Sequence, residues 1–452
     1  MLRGNLFRDV LLFSLPLMAS GLLQALYNSA DMIVIGQFLG DAALASVGAT
    51  AHLYSTFMHL FVGLSVGIDV VCAFSFGSGD DGGVKKTVDT AVISGVFVGL
   101  IATLSGLLFA RPLLVLMKTP VEDGVLDGAV LYMKTVFFGA PFTVIYNFCA
   151  AVLRTSGDTK RPFIYLSVAG ALNVALNVLF VAAFGMGIFG VAFATVISQA
   201  VSAVLILVRL CRNKGLFSFS LRGARFSMGT FIRIFYVGIL AGLQEAMFSI
   251  ANSFMQAGVN SFGEFAVAGN TAADTIENFI WIMASSFSYA TVTFISANLG
   301  AGQFSRIRKA FSVTVLYSVG TALVVGMGCF FAGRTVLSLF VSDAASMEFA
   351  LKRTGVTFPL YFLAGFMAVL PSALRGFGHS LAPTVVNLIT VCAARITWIY
   401  TAFAWNPTPE TLYLIHPITW ILTDAALFTL TVIYYRKIVR NTAEKHETKL
   451  TV

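Results

Sequence analysis

Apolar runs of about 20 residues or more recur along the whole chain, and a hydrocarbon layer about 30 Å thick needs roughly that many helical residues to cross it. The approximate stretches are 10–36, 43–76, 88–110, 128–153, 162–184 and 188–210, then 229–258, 264–297, 307–331, 347–374, 383–405 and 411–435. In lipid each backbone N–H and C=O must be satisfied within the protein, so runs of this length are helices. Only 11% of the residues are charged, against about 25% in a soluble domain. The expectation is an all-α polytopic membrane protein with twelve transmembrane helices. The first stretch carries Pro16 and Asp31, is too long for a signal peptide and lacks a small-residue cleavage site at the right distance, so it reads as the first span.

The net charge of +8 does not form one patch of the kind nucleic acid requires. Arg3, Arg8, Lys85, Lys86, Arg154, Lys160, Arg161, the stretch 209–225, Arg306 to Lys309, Arg375 and the tail from Arg436 fall at alternate span ends. The opposite ends hold chiefly Arg111, Lys118, Arg334, Lys352 and Arg353. This asymmetry places both termini in the cytoplasm. The five cysteines lie within or at the ends of spans without metal-ligand spacing and read as small core residues.

The basic stretch RNKGLFSFSLRGARFSMG holds no full apolar span and divides the chain into like halves. A shift of 221 to 223 positions lays FLGDAALA (38–45) over SFGEFAVA (261–268), and FGSGDDGGVKK (76–86) over LGAGQFSRIRK (299–309). It also lays LRTSGDTKRP (153–162) over LRGFGHSLAP (374–383). Six spans per half return the chain to its starting side, so the repeats are parallel, about an axis normal to the membrane. The expected organisation is a lobe over 1–211, a cytoplasmic linker over 212–228, a second lobe over 229–436 and a tail over 437–452. GSGDDGGVKK lacks the GK[ST] ending of a phosphate loop and reads as a tight cytoplasmic turn.

Asp31 stands inside the first apolar run, where a carboxylate costs several kcal/mol unless something requires it. Gln24, Asn28 and Asp31 share a helical face by spacing. The repeat shift carries them onto Glu245, Ser249 and Asn252, with Gln256 continuing the face, and the eighth span adds Asn270, Asp274 and Glu277. Such groups either bond neighbouring helices or bind an ion or substrate. Asn173 and Asn177 in the fifth span and Thr195 in the sixth are neutral groups able to fix a carboxylate or complete an ion's shell. Arg395 and Asp424 both lie mid-span on adjacent helices, which suggests a structural ion pair. Asp69 has no partner readable from the sequence. His52 and His59, seven apart, share a face without a second pair of ligands, so they read as satisfied helix histidines before a proton relay or metal site.

LYNSADMIVIGQFLG, the paired glycine turns, LRTSGDTKRP and GVAFATVISQ together resemble the MATE family of multidrug and toxic compound extrusion transporters. The likeness extends over all twelve spans. It implies a V-shaped pair of six-helix lobes, exchange of an amphipathic, often cationic substrate against H+ or Na+ as coupling ion, no other cofactor and no ATP site. The resemblance makes Asp31, Asn173, Asn177 and Thr195 the ion-coupling group, with Gln24, Asn28, Glu245, Asn252, Asp274 and Glu277 as further substrate or ion candidates. Asn177 stands where the family pattern has a second carboxylate. The chain is expected to act as a monomer in a bacterial plasma (inner) membrane. A lipid-linked precursor flippase of related fold is the alternative, but only Arg395 among the basic residues lies plainly mid-span. No grouped His and Asp and no nucleophile with its base argue for an enzyme.

Overall fold

The computed structural model describes residues 1–450, with the backbone alone described for His52, Asp123 and 441–450. The side chains of His52 and His446, and the last two residues of the expected tail, lie outside the described residues. Among those described the fold is helical throughout: α1 Leu6–Leu39, α2 Asp41–Gly77, α3 Asp81–Leu116, α4 Val125–Phe138, α5 Ala140–Thr155, α6 Lys160–Val178, α7 Gly187–Arg212 and α8 Met228–Asn260. There follow α9 Glu264–Gly300, α10 Phe304–Phe331, α11 Gly333–Leu337, α12 Ala344–Thr357, α13 Phe362–Gly376, α14 Leu381–Asn387, α15 Ala394–Trp398 and α16 Pro409–Leu450.

Among the described residues, ten continuous helical stretches are long and apolar enough to cross a membrane, and two bent pairs, each taken as one span, bring the number up to twelve. The bent pairs are α4 with α5, at 45°, and Ala344–Leu360 with α13, at 55°. Each was one continuous run in the sequence. Pro141 in the first turn of α5 and Pro359 in the 3-10 turn Phe358–Leu360 explain the breaks, since neither residue has an N–H to carry the helical ladder across. The glycine turns match the sequence reading: Gly79 and Gly302 hold φ of 71° and 67°, which other residues adopt only under strain.

The chain forms two compact units, Leu15–Ile239 and Met1–Ser14 with Leu240–Val452, here the N-unit and the C-unit. Their boundary falls inside α8, not at 212–228. In the N-unit, a Cβ on Gly67 would collide with the Ile234 carbonyl, and one on Gly238 with the Leu64 backbone, so α2 and the first turns of α8 approach with nothing between them. The linker is itself packed: Phe217 and Phe219 are buried with the N-unit core around Ile68, Phe148 and Ile206, and Lys85 Nζ donates to the Ser218 carbonyl at 2.6 Å. The first turns of α1 belong to the C-unit for equally local reasons. Arg306 donates to the carbonyls of Met1 and Gly4, and Phe13 meets Phe294 edge to face at 5.6 Å.

Candidate functional site

In the N-unit, α1 is brought against α6 by a missing side chain. A Cβ on Gly170 would overlap the Tyr27 ring, and the Tyr27 hydroxyl donates to the Ser167 carbonyl one turn earlier on α6. One turn beyond Tyr27 and two turns beyond Gly170 the polar stripe meets its partners. Asn177 Nδ2 donates to Asp31 Oδ1 at 2.5 Å and lies 3.4 Å from Asn173 Oδ1. Asn173 Nδ2 donates to Thr195 Oγ1 at 3.3 Å, and that hydroxyl donates in turn to the Val191 carbonyl. Asn173 and Asn177 are buried and Asp31 is half-buried. Immediately beyond Asn177 the helix widens into a π turn over Leu179–Ala183, a feature frequent at functional sites.

A cavity of about 160 Å³ opens on this chain of amides. Gln24, Asn28, Asp31, Asn173 and Thr195 line it, so five residues singled out from the sequence reach one space. Two of its residues carried no signal in the sequence. Gln199 Nε2 donates to the Tyr54 hydroxyl at 3.4 Å, and Gln199 Oε1, like Asn177 Oδ1, is buried without a hydrogen-bond partner. Tyr54 has only the small hydroxyls of Thr50 and Ser46 at helical spacing before it, and Gln199 is one turn past Thr195 in a face that reads as core.

The C-unit places its candidates differently. Asp274 and Glu277 are both bound by Arg353, which the charge pattern had placed at a span end. Arg353 Nε and Nη2 donate to Glu277 at 3.1 and 2.6 Å, and Nη2 also to Asp274 at 2.8 Å. Nη1 donates to Asn270 Oδ1, and the Thr357 hydroxyl to Glu277 Oε1 at 2.7 Å. Arg353 and Glu277 are buried, whereas the Asp274 side chain is 66% exposed. Glu245 is half-buried on α8 beside Gln244, which accepts from Arg375 Nη2 at 2.7 Å.

Two further expectations are corrected. Arg395 does not pair with Asp424: its Nη1 donates to Asn252 Oδ1 at 2.5 Å and its guanidinium lies 5.0 Å from the Phe248 ring centre, while both Asp424 oxygens are buried without a hydrogen-bond partner. Adjacent spans put the two residues at similar depth, but depth does not fix the facing angle. Asp69 does have a partner, buried Arg154, which meets it in a two-point bridge at 3.2 and 2.8 Å. Four arginines, Arg154, Arg353, Arg375 and Arg395, are therefore buried, where the sequence indicated one. Among the histidines, His59 is half-buried.

Up to twelve membrane crossings in two like halves, with ionisable groups buried deep in both, define a secondary-transporter fold. The MatE family model matches the chain twice, over residues 16–179 and 239–401. The chain belongs to the MATE family of multidrug efflux transporters and is a membrane transporter, not an enzyme. It is 28% identical over 406 residues to the probable multidrug resistance protein YpnP of Bacillus subtilis (strain 168), covering 89% of this chain and 90% of that one. It is 24% identical over 391 residues to the multidrug export protein MepA of Staphylococcus aureus (strain NCTC 8325 / PS 47), covering 86% and 85%. A crystal structure of a MATE protein in the straight conformation shares the fold at TM-score 0.90 and 21% identity, over 97% of this chain and 98% of that one.

Proposed function

We propose that this transporter exports amphipathic, often cationic small molecules in exchange for H+ or Na+, with Asp31 as the coupling carboxylate. The observation that carries the reading is the single acid of the N-unit cavity held by an amide chain with no basic partner in its hydrogen bonds. A carboxylate in a water-poor site gains by taking up a proton or a cation. A cationic substrate and the coupling ion then compete for one charge, and each lowers the affinity of the other by the same factor. Asn173, Asn177 and Thr195 hold the carboxylate and offer oxygens to an ion, while Gln24 and Asn28 give the same cavity neutral hydrogen-bonding groups. Pro16 in α1 supplies a kink site through which a change at Asp31 can alter the helix. Positive-inside bias and the bacterial relatives support a bacterial plasma membrane with both termini cytoplasmic, where the chain is proposed to act as a monomer.

The test is efflux of a fluorescent cation from proteoliposomes under an imposed pH gradient or an imposed sodium gradient. One gradient should drive the wild-type protein, and Asp31→Asn should lose roughly 100-fold in coupled efflux at matched protein levels, near the upper range of measured couplings. Undiminished coupled efflux by Asp31→Asn would remove Asp31 from the mechanism.

A further inference from the structure

The C-unit holds a repeat counterpart of the Asp31 site in which the charge is reversed. The shift that lays Gln24 and Asn28 over Glu245 and Ser249 lays Asp31 over Asn252. On the partner helix, Pro162 precedes Asn173 by eleven residues and Pro383 precedes Arg395 by twelve. The additional residue is accommodated by a π turn over Leu388–Ala393, which the regular helix α6 lacks before Asn173. With that residue absorbed, Asn173 corresponds to Arg395, and each lies six residues before the end of its stretch of family match, 179 and 401. The shift of 221 also lays Thr195 over the buried His416. The helix pair that joins an acid to amides in the N-unit thus joins an amide to a guanidinium in the C-unit.

Arg395 is 1% exposed, yet its Nε and Nη2 have no hydrogen-bond partner among the described residues, so at least three of its five N–H donors are unspent there. Three buried or partly buried carboxylates of its own unit do not pair with it: Asp274 and Glu277 bind Arg353, and neither oxygen of Asp424 accepts a bond among the described residues. Phe248 covers the guanidinium, stacked in turn on Trp281 at 6.4 Å. Asn252, the one side chain bonded to Arg395, is exposed on α8 and links the buried cation to accessible surface. Leaving a buried charge without partners is costly, and a planar fork of donors fits a carboxylate or phosphate oxygen pair.

We infer that Arg395, with Asn252 and the Phe248–Trp281 aromatic pair, forms an anion site that takes the carboxylate or phosphate of an amphipathic ligand. The ligand class so defined is acidic or zwitterionic, which goes beyond the cation/ion exchange assigned to Asp31. Equilibrium binding needs no gradient, so this site and the coupling reading fail separately.

The experiment measures fluorescence anisotropy of the full-length protein in lipid nanodiscs with rhodamine 110, which bears a free carboxylate, and its methyl ester rhodamine 123. Wild-type protein in phosphatidylcholine should bind the acid roughly ten- to hundredfold more tightly than the ester, the factor expected for hydrogen bonds to a charged group. Arg395→Gln should bring the two affinities within about twofold. Asn252→Asp, on an exposed position, should do the same by supplying a carboxylate within the chain, and it keeps the test valid if Arg395→Gln does not fold. Replacing a fifth or so of the lipid by phosphatidylglycerol separates the sources of the anion. An acid preference that persists identifies a free ligand, and one that disappears in the wild type identifies a lipid phosphate. Equal binding of acid and ester by the wild type in phosphatidylcholine, or an acid preference retained by Asn252→Asp, overturns the anion site.

Discussion

The two units solve one problem, an ionisable group held below the surface of a helix bundle, in opposite ways. In the N-unit the charged groups are kept apart: Asp31 is held only by amides, while Arg154 and Asp69 neutralise one another elsewhere. The C-unit gathers charge, with Arg353 satisfying Glu277 and Asp274 together and a second arginine beside Asn252. The shift that relates the halves lays Tyr132 over Arg353 at 221 positions, and Tyr54 over Glu277 at 223. Two tyrosines therefore stand where the C-unit carries an ion pair. The lesson is that repeat symmetry conserves the packing frame, while the sign and pairing of the buried groups are free to diverge.

The sharpest break in that comparison is Arg353→Leu, which strands buried Glu277 and should cost about 3–5 kcal/mol, the usual penalty for removing one partner of a buried pair. Tyr132→Phe at the matching place should cost no more than about 1 kcal/mol, since it takes one hydroxyl from a half-buried ring and strands no charge. Thermal unfolding midpoints in detergent decide this, and equal losses for the two would erase the contrast. Arg353→Leu combined with Glu277→Leu should recover part of the deficit.

A second contrast concerns the repeat-related arginines of the LR motifs. Arg154→Leu leaves Asp69 buried and unpaired and should again cost about 3–5 kcal/mol. Arg375→Leu leaves only the neutral Gln244 without its donor, so about 1–3 kcal/mol is expected. Chemical denaturation of both variants checks the order, and a larger loss for Arg375→Leu would reverse it.

Gly170→Ala probes how closely α1 must approach α6. The added methyl forces Tyr27 aside, for a cost of about 1–3 kcal/mol by the usual measure of overpacking. Because Asp31, one turn beyond Tyr27, meets Asn177, two turns beyond Gly170, coupled efflux should fall further than stability alone explains. Tyr27→Ala in the same chain should restore it. Coupling unaffected by Gly170→Ala would mean that the approach does not set the Asp31 geometry.

The smallest effect expected is that of Asn177→Leu, which removes the side-chain donor to Asp31 and leaves the Asn173–Thr195 pair in place. A several-fold change in the ion concentration for half-maximal efflux is the outcome, in keeping with a single hydrogen bond to a charged group. An effect as large as that of Asp31→Asn would assign Asn177 a more direct part.

The spans, the repeat and the Asp31 stripe were legible because they rest on local periodicity: apolar length, a constant shift, and three polar residues on one helical face. The N-unit cavity followed from them, since Asn173 and Thr195 stand out against apolar neighbours. The buried arginines were not legible. Arg154 and Arg375 sit at span ends, where a paired arginine and a topology-setting one look alike, and Arg353 lies 76 residues from Glu277. Asp69 and Arg154 are 85 apart. Arg395 with Asp424 failed for the complementary reason: both were seen, but their facing angles depend on π turns that composition does not announce. Tyr54 and Gln199 were missed because tyrosine and a lone glutamine in an apolar run pass for packing.

The π turn at Leu388–Ala393 uncouples chain length from rotational setting. In a regular α-helix each residue advances the azimuth by about 100°, so one residue gained or lost normally re-aims everything downstream. Here the wide turn stores a residue in place. Deleting one residue within 388–393 would close the turn to ordinary helical winding and leave Arg395 facing Asn252, whereas a deletion in a regular stretch would swing it by about 100°. For two like halves, that gives a route by which a single codon inserted or lost, with no substitution at all, leaves unchanged the side chain a helix offers to its neighbour.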